Sequence, residues 1–404
     1  MNEEMTQNKS GRGVGILIGV VITLALCGVF FVSMLLTGTV RMGGGGADLL
    51  DAATQNKIER IDAIIRNNYY KTDVDDDALT EGLYRGMVAA LEDPYSEYYS
   101  EEELNAVMNQ TQGIYYGIGA YIGLDEEMQI AKIVGVFEGS PAEAAGLQEG
   151  DLIIEVAGES TVGMSTTEVV TYIKGEEGTS VHVKFSRDGE IFERDIVRKK
   201  IESPTVTHEM MEDSIGYVRI TEFDEVTVQQ FEDALADLRA QDMKGLILDL
   251  RDNPGGNVTT VLEIARQLLP KGLIVYTEDR DGNREEQSCD GRHEIKEPLA
   301  VLVNGNSASA SEILAGAIKD HGVGTLVGET TFGKGVIQRI IDLKDGTAVK
   351  ITISSYYSPK GNAIHEVGIE PDILCELDVE QYLADETDNQ LEKAKDVVLQ
   401  KLND

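Results

Sequence analysis

Residues 13–40, GVGILIGVVITLALCGVFFVSMLLTGTV, contain no charged side chain, and a run of that length exceeds the roughly 20 apolar residues that cross a bilayer. A chain carrying it is expected to place this run in lipid and fold the remainder in water. The run is longer than the apolar part of a cleaved secretion signal and no A-x-A site follows, so it reads as an uncleaved signal anchor, a single transmembrane helix. Lys9 and Arg12 precede it and Arg41 is the nearest cation after it. That asymmetry sets the N-terminus in the cytoplasm and residues 47–404 on the far side of the cell membrane. The glycines at 43–46 read as a flexible tether.

The chain is strongly acidic, with 72 Asp and Glu against 35 Lys and Arg and a formal net charge of −37. Such a balance excludes nucleic acid and anionic headgroups as partners of the body. Of three cysteines, Cys27 lies in the apolar run and Cys289 and Cys375 are far apart, so no disulfide framework is expected. No His, Cys or carboxylate cluster has zinc spacing. Neither a metal nor a cofactor is expected.

Chemistry concentrates in two segments, NGNSASASEILAGAIKD at 304–320 and TFGKGVIQ at 331–338. A serine hydroxyl is a poor nucleophile until a neighbour takes its proton, and a lysine does so where desolvation or a nearby cation lowers its pKa. Ser309 and Glu312 fit a capping box, and Ile313, Leu314, Ala317 and Ile318 follow at helical spacing. This would place Ser309 at a positive helix end with the Ala310 amide beside a developing oxyanion. Ser307 and Ser311 are the rival nucleophiles. Gly333 and Gly335 flank Lys334, and the alternation after Gly335 reads as a strand on which 334, 336 and 338 share a face. Gln338 would then reach toward Lys334 without adding charge. Among the five histidines, His321 reads as a helix C-terminal partner and His365 as the alternative base.

A third segment, LDLRDNPGGN at 248–257, ends a buried strand in a turn whose Gly255 and Gly256 amides suit an oxyanion. Together the three segments resemble the carboxyl-terminal processing peptidases, or tail-specific proteases. The resemblance implies Ser309 as nucleophile, Lys334 as general base, Gln338 as the residue orienting the lysine, and a ClpP and crotonase-like α/β core over 201–376.

The stretch SPAEAAGLQEGDLIIEVAGES within 113–200 resembles a β-rich PDZ domain, with a strand near 129–137, a short helix stopped by Gly146, a strand at 152–156, a helix at 166–174 and a hairpin turn at Asp188 and Gly189. The resemblance implies that the loop at Gly117, Ile118 and Gly119 binds a peptide's terminal carboxylate. Val169, Val170 and Ile173 are candidates for the side-chain pocket or for core. Residues 47–112 read as a helical region, with Ile58, Ile61, Ile64 and Ile65 on one face and Leu79, Leu83, Met87 and Leu91 on another. Residues 377–404 read as a helical tail, and in the resembled family such ends build a homodimer. The expected protein is thus a multidomain, membrane-anchored serine endopeptidase that acts on proteins or peptides with free C-termini. The rival is a catalytically silent PDZ scaffold.

Overall fold

The computed structural model describes residues 49–403. The anchor expected at 13–40 lies outside the described residues; among those described, no helix is long and apolar enough to cross a membrane. The chain divides into two units at Asp76. In the first, helix Ala52–Asn68 opens where the Asp51 side chain accepts from Thr54 N at 2.7 Å. Ile58, Ile61, Ile64 and Ile65 lie on this helix, which has no buried residue.

In the second unit, helix Asp76–Ala89 carries Leu79, Leu83 and Met87, and Leu91 falls beyond its end. Within the region 47–112, read as helical, a strand Glu97–Tyr99 precedes helix Glu101–Gln112. Its aromatic pair Tyr98 and Tyr99 is buried, and it pairs antiparallel with residues 348–350. Strand formation here depends on a distant partner, and the two tyrosines suit a half-buried strand. Ser100 then caps the following helix, its hydroxyl accepting from Glu103 N while Glu103 reaches back to Ser100 N.

The PDZ-like module is a six-stranded antiparallel sheet, with Ala120–Asp125, Ile130–Val136, Leu152–Val156, Ser180–Arg187 and Glu190–Val197 in that order, and Glu159–Ser160 beside Leu152–Val156. Helices Pro141–Ala144 and Thr166–Ile173 complete it, close to the expected positions. Ile133, Ile153, Val156, Val169, Val183 and Phe185 are buried together in its core; each such side chain contributes roughly 1.5–3 kcal/mol. The chain enters and leaves through a two-stranded pair, Ile114–Gly117 with Lys199–Glu202.

The peptidase-like part has two sheets. One orders strands Val206–Met210, Ile215–Ile220, Gly245–Asp249, Leu299–Val303, Gly324–Gly328 and Ile373–Leu374, parallel except for the first pair. Its central strands GLILD and LAVLV are buried at every position, the apolar run that a parallel strand covered on both faces requires. The other sheet is built on the long strand Ala348–Tyr357, which takes Val336–Asp342 along one edge and Gly272–Asp279 and Glu97–Tyr99 along the other. The tail is two helices rather than one: Val379–Asp385 stops at Glu386, whose φ is 62°, and Asn389–Asn403 follows. The second buries Ala394, Val397 and Val398 against Ile247, Ala300 and Leu302 of the parallel sheet.

Candidate active site

The buried strand Gly245–Asp249 delivers the chain into the turn 252–256, and Asn253 fixes that turn. Asn253 is fully buried; its amide nitrogen donates to Ile220 O at 2.9 Å and its side-chain oxygen accepts from Gly255 N at 2.8 Å. The expected role of the Gly255 amide as an oxyanion donor is thereby corrected, because that N–H is already engaged. Gly255 serves by being small: a Cβ there would lie 2.7 Å from Ser309 Cβ and 2.8 Å from Ala308 O. Gly256, with φ 137°, packs so closely on Phe223 that a Cβ would meet its carbonyl oxygen at 2.5 Å. The Gly256 amide and the Ala310 amide, at the first residue of helix Ala310–His321, stay the candidate backbone donors.

The three serines of SASAS take different tasks. Ser307 is buried, its hydroxyl donating to Leu250 O at 2.7 Å and accepting from Asn304 N at 3.0 Å. Ser311 is buried too, donating to Asn253 O at 3.0 Å, the same carbonyl that accepts from Ala308 N. The Ser307 hydroxyl thus ties this segment to the end of the preceding strand, and the Ser311 hydroxyl ties it to the glycine turn. Ser309 is half-buried, and Glu312 N, the amide that a capping hydroxyl would accept from, donates to the Ser309 carbonyl oxygen at 2.9 Å. Its backbone sits at φ 54°, ψ −113°, a conformation costly for a residue with a Cβ and found where surrounding structure enforces it.

What enforces it is Glu312, a fully buried carboxylate. One oxygen accepts from Ser309 N at 2.9 Å and from Lys334 N at 2.9 Å; the other accepts from Thr331 Oγ1 at 2.6 Å and Gly333 N at 2.7 Å. A single side chain thus fixes the backbone at both the serine and the lysine. The capping signal anticipated its reach to Ser309 but not its hold on residues 331–334. Buried Tyr356 adds a second tie, its hydroxyl lying 3.0 Å from Ser309 O and also hydrogen-bonded to Lys334 O.

Lys334 is half-buried, with Nζ 4.8 Å from the centre of the Tyr95 ring. Desolvation, followed by the charge of Lys350, pushes its pKa below the ordinary lysine value, while Asp93 and Glu312 oppose the shift. Lys334 precedes the strand expected to carry it, which spans Val336–Asp342 with a register shift between Ile337 and Gln338. The extra residue of that shift, Ile353, lies on the partner strand, and the face assumed for 334, 336 and 338 fails because Lys334 lies outside the strand. Gln338 accordingly donates to Thr352 Oγ1 at 3.1 Å rather than reaching Lys334. Of the histidines, His321 bonds Leu273 O at 2.7 Å. His365 lines a 370 Å³ cavity with Asp93, Tyr95 and Phe332.

The PDZ-like module presents a 710 Å³ cleft lined by Ile118, Gly119, Tyr121, Phe137, Val170 and Ile173, and by Glu222 and Asp224 from the peptidase-like part. Two expectations are corrected: Val169 is fully buried in the module's core, and Gly117 is a strand residue paired with Lys199. Asp224 is 4% exposed, and desolvation together with Glu222 raises its pKa to about 7.

Comparison with known proteins accords with these parts. The model of Peptidase family S41 matches residues 214–375, that of the PDZ domain 132–187, and that of the activating protease CtpB N-terminal domain 44–103. The carboxy-terminal processing protease CtpA of Bacillus subtilis (strain 168) is 36% identical, over 80% of this chain and 69% of its own. The carboxyl-terminal-processing protease of Synechocystis sp. is 35% identical, over 78% and 75%. The solved photosystem II D1 C-terminal processing protease is 31% identical, covering 81% of this chain and 94% of its own, with a TM-score of 0.48.

Proposed function

Since the chain belongs to peptidase family S41 and is a serine-type, carboxy-terminal processing protease with a PDZ domain, we propose that Ser309 is its nucleophile and Lys334 its general base. The observation that carries this reading is the Glu312 carboxylate, which fixes the backbones of both residues at once. Neutral Lys334 takes the Ser309 proton as Oγ attacks the scissile carbonyl. The oxyanion falls to the Gly256 and Ala310 amides, and the amine departs with the proton from Lys334. Water deprotonated by Lys334 then releases the acyl group and restores the serine. The Ser309 and Lys334 side chains meet in a hydrogen bond in the substrate complex, where catalytic hydrogen bonds form their productive geometry, and Gln338 sits on the strand that follows the lysine. Substrate C-termini enter the PDZ cleft as an added strand, their carboxylate at Ile118 and Gly119 and a side chain against Val170 and Ile173.

A base that must be neutral gives a rate rising with pH through its own pKa. The kcat profile is expected to show an acid limb with a midpoint below the ordinary lysine range, because burial disfavours the ammonium. A profile centred at or above the value of free lysine would exclude Lys334.

The uncharged run 13–40 supports a single-pass anchor with the catalytic body outside the cytoplasm, and the exposed isoleucines of helix Ala52–Asn68 support a homodimer. The 404-residue chain is expected to stay with membranes after alkaline carbonate extraction and to be digested by protease added to intact cells. Release by carbonate counts against the anchor, and protection in intact cells against the topology.

A further inference from the structure

The connector at 93–99 forms one wall beside Lys334, and the chemistry above gives it no part. We infer that Tyr95 is a positioning residue for Lys334, its ring face holding the ammonium that forms when the amine takes the Ser309 proton. The inference rests on Lys334 being the base.

Three observations carry it. The ring centre lies 4.8 Å from Nζ, within the range of a cation–π contact. The backbone that carries the ring is tied down: Tyr95 N donates to Asp93 at 3.1 Å, Ser96 Oγ also donates to Asp93, Thr352 N donates to Ser96 Oγ at 3.1 Å, and Glu97–Tyr99 continues as a paired strand. The charged groups around the lysine have other engagements. Glu312 from the nucleophile helix already accepts four hydrogen bonds. Asp93 from the connector accepts from Tyr95 N and Ser96. Lys350 from the long strand lies 3.4 Å from Glu97 and 5.2 Å from the Tyr99 ring. His365, whose backbone packs on Gly335, lines a cavity with Asp93 and Tyr95.

A carboxylate against Nζ would keep the lysine charged and useless as a base. A ring face attracts the ammonium and has little hold on the neutral amine, so it acts mainly as the proton arrives, which is where an interaction accelerates a step. The Tyr95 hydroxyl has no part in this, so phenylalanine is expected to substitute.

The test is the pH profile of kcat for the 404-residue chain and its Tyr95→Phe, Tyr95→Leu and Lys334→Ala variants, with an internally quenched peptide ending in apolar residues and thermal unfolding in parallel. Tyr95→Phe is expected within about twofold of the parent. Tyr95→Leu keeps the site dry but loses the ring, so its plateau is expected to fall roughly three- to thirtyfold. Its acid limb is expected to move to lower pH, because the ammonium has lost its stabiliser. Tyr95→Met supplies the same comparison if the leucine variant does not fold. An unmoved limb in Tyr95→Leu, or equal losses in Tyr95→Phe and Tyr95→Leu, overturns the inference. A Lys334→Ala variant that keeps the parent profile instead overturns the assignment of the base.

Discussion

Ser309→Ala is expected to lower peptide cleavage by on the order of 10⁴- to 10⁶-fold, the loss that follows removal of a nucleophile acting with its base as a unit. Ser307→Ala and Ser311→Ala are expected to keep most activity. Their hydroxyls are buried and already donate to Leu250 O and Asn253 O, so neither is free to attack. What these two lose is stability, about 1 kcal/mol each, because one buried hydrogen bond goes while each carbonyl keeps a backbone donor, Asn253 N on Leu250 O and Ala308 N on Asn253 O. Single-turnover cleavage and thermal unfolding of the three variants separate the roles. Residual activity in Ser309→Ala together with its loss in either neighbour would move the nucleophile.

Glu312→Ala is expected to be the most damaging change that touches no reacting atom. It leaves Ser309 N, Lys334 N, Gly333 N and Thr331 Oγ1 without their shared acceptor in a buried site. The cost to folding is on the order of 3–5 kcal/mol, because buried donors left without an acceptor each carry a desolvation penalty. With the serine and lysine backbones released, kcat is expected to fall on the order of 10²- to 10³-fold, since small misplacements of reacting groups carry penalties of that size. Glu312→Gln is not expected to rescue it: both carboxylate oxygens accept two donors each, and an amide turns one of those positions into a donor facing donors. Denaturant unfolding read alongside kcat tests both effects, and a glutamine variant matching the parent in both would remove Glu312 from the site.

Much of this site is legible in the sequence because parts of it are local. The period of ILAGAI, the glutamate three residues after Ser309 and the apolar run before PGG each report a neighbourhood of a few residues. The features missed depend on contacts that no local period encodes. Glu312 meets partners at 331–334, and Asn253 turns its own side chain on Gly255 N. The Ile337/Gln338 bulge is set by pairing with residues 352–354. Tyr95 reaches Lys334 across most of the chain. In the PDZ-like module the helix Thr166–Ile173 was expected, yet which of its apolar residues face the core was not, because an eight-residue helix with Val169, Val170 and Ile173 offers apolar positions on adjoining faces.

The connector strand also bears on when the enzyme becomes an enzyme. Ser96 and Thr352 are 256 residues apart in the chain and hydrogen-bonded in the fold, as are Glu97 and Lys350 at a separation of 253. Contacts across such a span close a very long loop and form late. During synthesis the PDZ-like module, whose strands all lie within 120–197, has its complete sequence well before residues 348–350 emerge. A growing or truncated chain therefore holds Tyr95 and a peptide-capturing module without the strand that joins them to Lys334. The sheet edge that carries Tyr95 thus stays unpaired until nearly the whole polypeptide has been made.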